Sequence, residues 1–201
     1  MLKVTLFLVI LAVAFADRPD VAATIPDSFW LEIALKQDIM NTRQKLFLSK
    51  THNQAKSEQV VDMGDTQYEF ITIADFNTDK VSVYNGATGD CDISDLGAKT
   101  NIVDIIRGVF TDPEQSPWQE DKGMNLFTVN WKSIEGVDDW THFYFEKDSN
   151  KLALFEHYFK ESSEDPWITF DVLTPVTQQD FEESVFVNEN CPFTTEERSE
   201  L

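Results

Sequence analysis

Two cysteines and three histidines carry most of the reactive chemistry open to this 201-residue chain. His52, His142 and His157 do not stand at ligand spacing beside Cys91 or Cys191, so a zinc site built from these groups is not expected. His142 and His157 also fall inside runs that alternate like strands, where a structural role is commoner than catalysis. The chain has no Gly-x-Ser-x-Gly elbow, no His-Glu-x-x-His helix, no Gly-rich phosphate loop and no Cys-x-x-Cys pair. Its 36 Asp and Glu are too many for one acid–base dyad to stand out. The expectation is a protein that is not an enzyme, with no catalytic residue, cofactor or dedicated metal site.

Cation binding is the nearest approach to site chemistry. Asp75-Phe76-Asn77-Thr78-Asp79 starts like an EF-hand loop, but Lys80 stands where Gly should allow the sharp turn and Gly86 stands where the bidentate Glu should be. A strand-connecting turn is the better expectation there. Asp90, Asp92 and Asp95 flank Cys91, and weak Ca²⁺ association at that cluster stays open.

The first sixteen residues address the chain. Lys3 gives a positive start, an apolar run follows from Val4 to Phe15, and Ala14-Phe15-Ala16 supplies a small-x-small cleavage pattern. Residues 1–16 are therefore expected to be a signal peptide, since the run is short of the roughly 20 residues that span a bilayer. No later stretch approaches that length, so no integral membrane span is expected. Residues 17–193 fit one domain, and 194–201 form an acidic tail. Arg198-Ser199-Glu200-Leu201 resembles an ER-retrieval ending with Ser199 in place of an acidic residue, which leaves the ER lumen as the alternative to secretion. No Asn-x-Ser/Thr acceptor occurs. In an oxidising compartment Cys91 and Cys191 are expected to form one disulfide across a 100-residue interval; the alternative is two buried, unpaired cysteines.

The formal charge is −20, and removal of Lys3 makes it −21, 15 basic against 36 acidic residues. Such a surface repels phosphate backbones and anionic headgroups, which argues against nucleic acid and peripheral membrane partners. With 42% hydrophobic residues, 16 Phe and 5 Trp, the chain has ample material for a core.

From Ser28 onward the dominant period is two. Phe29, Leu31, Ile33 and Leu35 alternate with Trp30, Glu32, Ala34 and Lys36, and further strands are expected at 45–52, 59–63, 67–74, 80–84, 124–132, 140–146, 151–159 and 167–173. Asp62-Met63-Gly64-Asp65, Asn77-Thr78-Asp79, Asn85-Gly86 and Asp148-Ser149-Asn150 separate several of them, as turns of an antiparallel meander. Ile102, Val103, Ile105 and Ile106 stand at helical spacing in 99–107, with Gly108 as the stop. Residues 111–123 are expected to be a long surface loop around Trp118, and 177–183 a second short helix. Several strands are apolar on both sides, so both faces of the sheet need cover. A helix and another sheet segment would supply it; so would a curved sheet holding an apolar ligand under a helix.

Two segments resemble animal secreted proteins of the ependymin-related and LolA-like type. One is the strand pair that leads into Gly89-Asp90-Cys91-Asp92-Ile93-Ser94-Asp95-Leu96. The other is the ending Phe170-Asp171 … Asp180-Phe181-Glu182-Glu183-Ser184-Val185-Phe186-Val187 … Cys191-Pro192. The resemblance implies a mainly β (α+β) fold: one strongly curved antiparallel sheet or incomplete barrel, covered by one or two short helices around an apolar cavity. It further implies a carrier of a lipid, a fatty acid or another hydrophobic molecule. One alternate set of strand residues would line the cavity: Ile71, Ile73, Phe127, Val129, Trp131, Phe143, Phe145, Phe155 and Phe159. Ile102, Val103, Ile105 and Ile106 would close its mouth. The rival expectation is an acidic extracellular structural or Ca²⁺-responsive protein whose core is full. A lipocalin would need Gly-x-Trp at the first strand, where Asp27-Ser28-Phe29-Trp30 stands.

Overall fold

The computed structural model describes residues 25–37, 40–97, 102–111, 119–130, 139–148, 151–158 and 165–193. The expected signal peptide, the Trp118 segment and the acidic tail lie outside them, as do Trp131 and Phe159. Eleven strands form one antiparallel sheet: β1 (Ser28–Gln37), β2 (Met40–Ser49), β3 (Gln54–Met63), β4 (Thr66–Asp75), β5 (Lys80–Asn85), β6 (Cys91–Asp95), β7 (Gln119–Asp121), β8 (Met124–Asn130), β9 (Trp140–Phe145), β10 (Leu152–Tyr158) and β11 (Ile168–Gln178). One helix, α1 (Ile102–Thr111), stands between β6 and β7. The strand order is β6-β5-β4-β3-β2-β1-β11-β10-β9-β8-β7. The chain thus runs outward from β1 to β6, crosses to the far edge, and returns strand by strand until β11 pairs with β1.

Two features bend this sheet into a cup. Val81 on β5 and Val129 on β8, far apart in strand order, belong to one buried cluster with Phe29, Leu31, Ile33, Leu46, Leu48, Phe143 and Phe155. An eleven-stranded sheet is roughly 48 Å across if flat, at about 4.8 Å per strand, so only curvature brings both ends to a common core. The register also slips between Trp30 and Ile33 where β1 meets β11, and between Leu152 and Leu154 where β10 meets β9. Such bulges add local bend. Both edges are short and acidic: β6 reads Cys-Asp-Ile-Ser-Asp and β7 Gln-Glu-Asp. That composition discourages pairing with a neighbouring chain.

The two faces have different covers. On the face that carries the cluster, here the helix face, α1 buries Val103, Ile106 and Val109. Asp104 occupies its first turn, where the helix dipole favours a negative charge. The helix continues through Gly108, the expected stop, to Thr111. On the opposite face lies the C-terminal segment. There Phe181 meets Phe47 at 5.8 Å, Phe186 meets His52 at 5.7 Å, and His52 Nε2 donates to the Phe181 carbonyl oxygen at 2.9 Å. The expected helix at 177–183 is not formed, because β11 continues to Gln178; a single 3-10 turn follows at Glu183–Phe186. No second sheet is present among the described residues, so the cover expected from another sheet segment is supplied by this segment instead.

Cys91 and Cys191 are joined, with Cα atoms 5.3 Å apart and a sequence separation of 100. The bond ties the C-terminal segment to edge strand β6. Asp75 closes the β4–β5 turn by accepting from the Asn77 backbone N–H at 2.9 Å and from Gln54 Nε2 at 3.2 Å.

Candidate functional site

The interior on the helix face is built by strand alternation. Pairing of Phe29 with Leu48, Leu48 with Ala55, Ala55 with Ala74, and Ala74 with Val81 carries one face across five strands. On the other side of β1, Leu35 pairs with Phe170, Phe170 with Phe155, Phe155 with Phe143, and Phe143 with Phe127. Phe155 stacks on Phe170 at 4.7 Å and lies 6.0 Å from Phe143. Of the nine residues expected to line a cavity, Phe127, Val129, Phe143, Phe145 and Phe155 meet in this interior.

Ile71 and Ile73 do not join them. Ala74 belongs to the helix-face cluster, so alternation puts Ile71 and Ile73 on the opposite face of β4. Ile73 instead borders a cleft of about 110 Å³ beneath the C-terminal segment, with Phe186, Cys191 and Pro192. The expected set is one residue out of step on this strand because Ile71 and Ile73 are more apolar than Phe70, Thr72 and Ala74 taken together. Trp131 and Phe159 lie outside the described residues.

Val129, Phe143, Phe145 and Phe155 are each 0% exposed. A void that could admit water would leave accessible area on its walls, so these four side chains are packed against neighbours. No open space is left around these four side chains. The first two turns of the helix are tied by polar contacts: Lys50 Nζ to Asp104 Oδ1 at 2.9 Å, Arg107 to Asp27 Oδ1 at 3.0 Å, and Arg107 to the Ile25 carbonyl oxygen.

Polar groups are also buried on the helix face. Gln44 Nε2 donates to Ser57 Oγ at 2.9 Å, and both residues are 3% exposed. Next to them Thr42 is 4% exposed, and its hydroxyl has no hydrogen-bond partner. Thr141 Oγ1 lies 3.1 Å from His157 Nδ1, with Asp139 Oδ2 3.6 Å from His157 Nε2. Hydroxyl, imidazole and carboxylate in series have the order of a nucleophilic triad, but Thr141 and His157 are both fully buried. In this state no substrate can reach that hydroxyl.

Burial pushes the His157 pKa below the ordinary imidazole value, against the opposing pull of Asp139. Burial likewise lowers His142, against the pull of Glu156. A group whose folded pKa lies below its unfolded value, about 6.5 for imidazole, takes up a proton on unfolding. Its contribution to stability is therefore complete above about pH 6.5 and is lost as pH falls below it. We expect the unfolding free energy to be flat from about pH 8 to 7 and to fall below about 6.5, by at most about 1.4 kcal/mol per pH unit for each group. Urea titrations across this range check it, and His157→Asn should flatten the slope by its share; an unchanged slope would remove His157 as its source.

The face opposite the helix carries a polar network across β7 to β10. Lys122 Nζ reaches both Glu156 carboxylate oxygens at 2.7 Å, Tyr158 donates to Glu156 Oε2 at 2.9 Å, and Tyr144 donates to Asp121 Oδ2 at 3.1 Å. Burial alone would raise the Glu156 carboxyl, but hydrogen bonds from Lys122, Tyr158 and Tyr144 outweigh it and hold the group below the usual carboxylate range. Burial, with Glu156 beside them, pushes both phenols up. Lys122 reaches back from a two-residue hairpin in which it and Gly123 both have positive φ, 51° and 72°. Sequence inspection misses this cluster because 111–123 reads as loop. The one signal is Lys-Gly before Met124, a hairpin pair ahead of an alternating run. A shallow cleft of about 240 Å³ lies beside β1 and β2, bordered by Asn41, Arg43, Asp62 and Leu173.

No family model and no curated protein matches the chain. Solved structures do. An uncharacterised conserved protein from Thermus thermophilus shares 9% identity over 79% of this chain and 83% of its own, with a TM-score of 0.50. The likeness is one of fold alone. A chain of the Pseudomonas aeruginosa MucA/MucB complex (10% identity, 84% of this chain, 58% of that one) gives a TM-score of 0.42. A Vibrio parahaemolyticus domain assigned by name to outer membrane lipoprotein sorting (11% identity, 79% and 87%) gives 0.40. Neither of these two bears on function. Among the described residues no helix is long and apolar enough to cross a membrane.

Proposed function

We propose that this is an exported, non-enzymatic protein that takes up a hydrophobic molecule between the helix face and α1. One observation carries the proposal: a single apolar cluster gathers side chains from both halves of an open, curved sheet and is covered by a ten-residue helix. Such a helix is about 15 Å long and can lift without breaking a strand ladder. The resemblance of the sequence to LolA-like proteins points the same way, and the Cys91–Cys191 bond accords with an oxidising compartment. Uptake would be driven by desolvation, at about 0.8 kcal/mol for each CH₂ buried.

The polar ties of α1 make this testable. Arg107→Ala removes the contacts to Asp27 and Ile25 without touching the apolar interior. It should raise the association rate of a neutral apolar dye such as Nile red several-fold in stopped-flow fluorescence, at a stability loss of about 1 kcal/mol. Unchanged kinetics would mean that α1 is not the cover that moves.

The full burial of Phe143, Phe145 and Phe155 favours a second reading, an acidic extracellular protein with a filled core that responds to Ca²⁺ or serves a structural role. A melting temperature raised by millimolar Ca²⁺, with no dye uptake, would support it, since a ligand bound only by the folded state stabilises that state.

A further inference from the structure

We infer that the molecule taken up on the helix face is a neutral amphiphile, an apolar chain ending in an uncharged hydroxyl, ester or amide, whose polar end is met by Thr42, Gln44 and Ser57. The inference rests on the proposed uptake beneath α1 and narrows its ligand class. Alternation across the paired strands decides it. On β1–β5 and β8–β11, no described residue on the helix face is Lys, Arg, Asp or Glu. Arg43, Lys45 and Lys56 lie on the opposite face with Ala34, Glu32 and Phe47. Lys80 pairs with Asp95, and Lys122 is committed to Glu156. Among the described residues, the cations at the helix are Lys50 and Arg107, and they are held by Asp104 and Asp27. A carboxylate or phosphate drawn into this interior would meet no Lys or Arg among the described residues, and an ionised group buried without a partner costs far more than its acyl chain returns.

An uncharged polar end has partners waiting. Thr42, Gln44 and Ser57 are each at least 96% buried on two neighbouring strands, with Gln44 two positions from Thr42 on β2 and bonded to Ser57 on β3. Gln44 and Ser57 hold each other, while the Thr42 hydroxyl is left without a partner. A buried polar atom left unbonded calls for an occupant that would bond it. The hydroxyl can donate and accept, and the Gln44 amide can do both, which suits an alcohol, ester or amide end and gives no advantage to an anion.

The test is displacement of Nile red from the intact, disulfide-bonded protein at pH 8 by monolauroylglycerol and by laurate, each below its micellar concentration. Monolauroylglycerol should displace the dye at a concentration at least tenfold lower than laurate. Thr42→Val with Gln44→Leu should shrink that ratio several-fold, and Thr42→Val alone should not lower the melting temperature because its hydroxyl bonds to nothing. Equal or tighter binding of laurate would overturn the inference while uptake itself stands. Failure of Nile red to bind at all would overturn the uptake proposal, and this inference with it.

Discussion

Replacing Cys91 with Ser and Cys191 with Ala should lower the melting temperature by about 10–19 °C. The bond closes a loop of 100 residues, worth about 4.7 kcal/mol when chain entropy alone is counted, and each kcal/mol moves the melting point of a domain this size by about 2–4 °C. The loss should be localised. The C-terminal segment would release from the opposite face and uncover Phe47 and Ile73, while the helix-face cluster, which contains neither cysteine, keeps its packing. Calorimetry of the double variant under non-reducing conditions gives the first number, and far-UV circular dichroism at low temperature gives the second. A drop of only about 2 °C would mean that the segment is held by Phe181, Phe186 and His52 without the bond.

Phe155→Ala should cost about 3–5 kcal/mol in urea unfolding, and Phe155→Leu less than about 1.5. Phe155 is 0% exposed and sits between the Phe170 and Phe143 rings. Truncation there leaves a void that the sheet cannot collapse to fill, since both neighbours are fixed by strand pairing. Such a void, lined by aromatic side chains, should stay dry and take up small apolar molecules. A cost below about 1 kcal/mol would show instead that Phe155 faces open space, and the closed state of the interior would have to be abandoned.

The sheet is legible in the sequence where one face is apolar and the other polar. Phe29 to Lys36 gives away β1 because four apolar residues alternate with a mixed set. Nine of the eleven strands are visible as alternating or two-sided apolar runs, and α1 by its helical spacing, all with frayed ends. The rest is hidden for physical reasons. β2 begins at Met40 and β3 at Gln54, five residues earlier than the pattern suggests, because their buried positions there are Thr42, Gln44, Ala55 and Ser57. Buried polar and small residues erase the apolar alternation, so the stretch that suggests what the ligand looks like is the stretch that sequence inspection cannot see. β6 and β7 escape notice because edge strands must be acidic and short. β11 runs past Pro175 because β10 has already stopped pairing at Asp171, which frees that side of the strand from the ladder.

The candidate site is half legible. Phe127, Val129, Phe143, Phe145 and Phe155 are placed together by period two, whereas Ile71 and Ile73 are placed on the wrong face by the same rule applied one residue out of step. The closeness of Lys122 to Glu156, 34 residues apart, leaves no mark in local pattern. Nor does the joining of Thr141 to His157 across β9 and β10.

Native mass spectrometry of the protein purified from a secreting host without detergent, followed by solvent extraction, tests the central claim most directly. Uptake on the helix face predicts a bound hydrophobic molecule that is released by the solvent and displaced by Nile red, and the neutral-amphiphile inference adds that it carries no ionisable acid. A single apo mass, no extractable lipid and no dye binding by either the wild type or Arg107→Ala would contradict it.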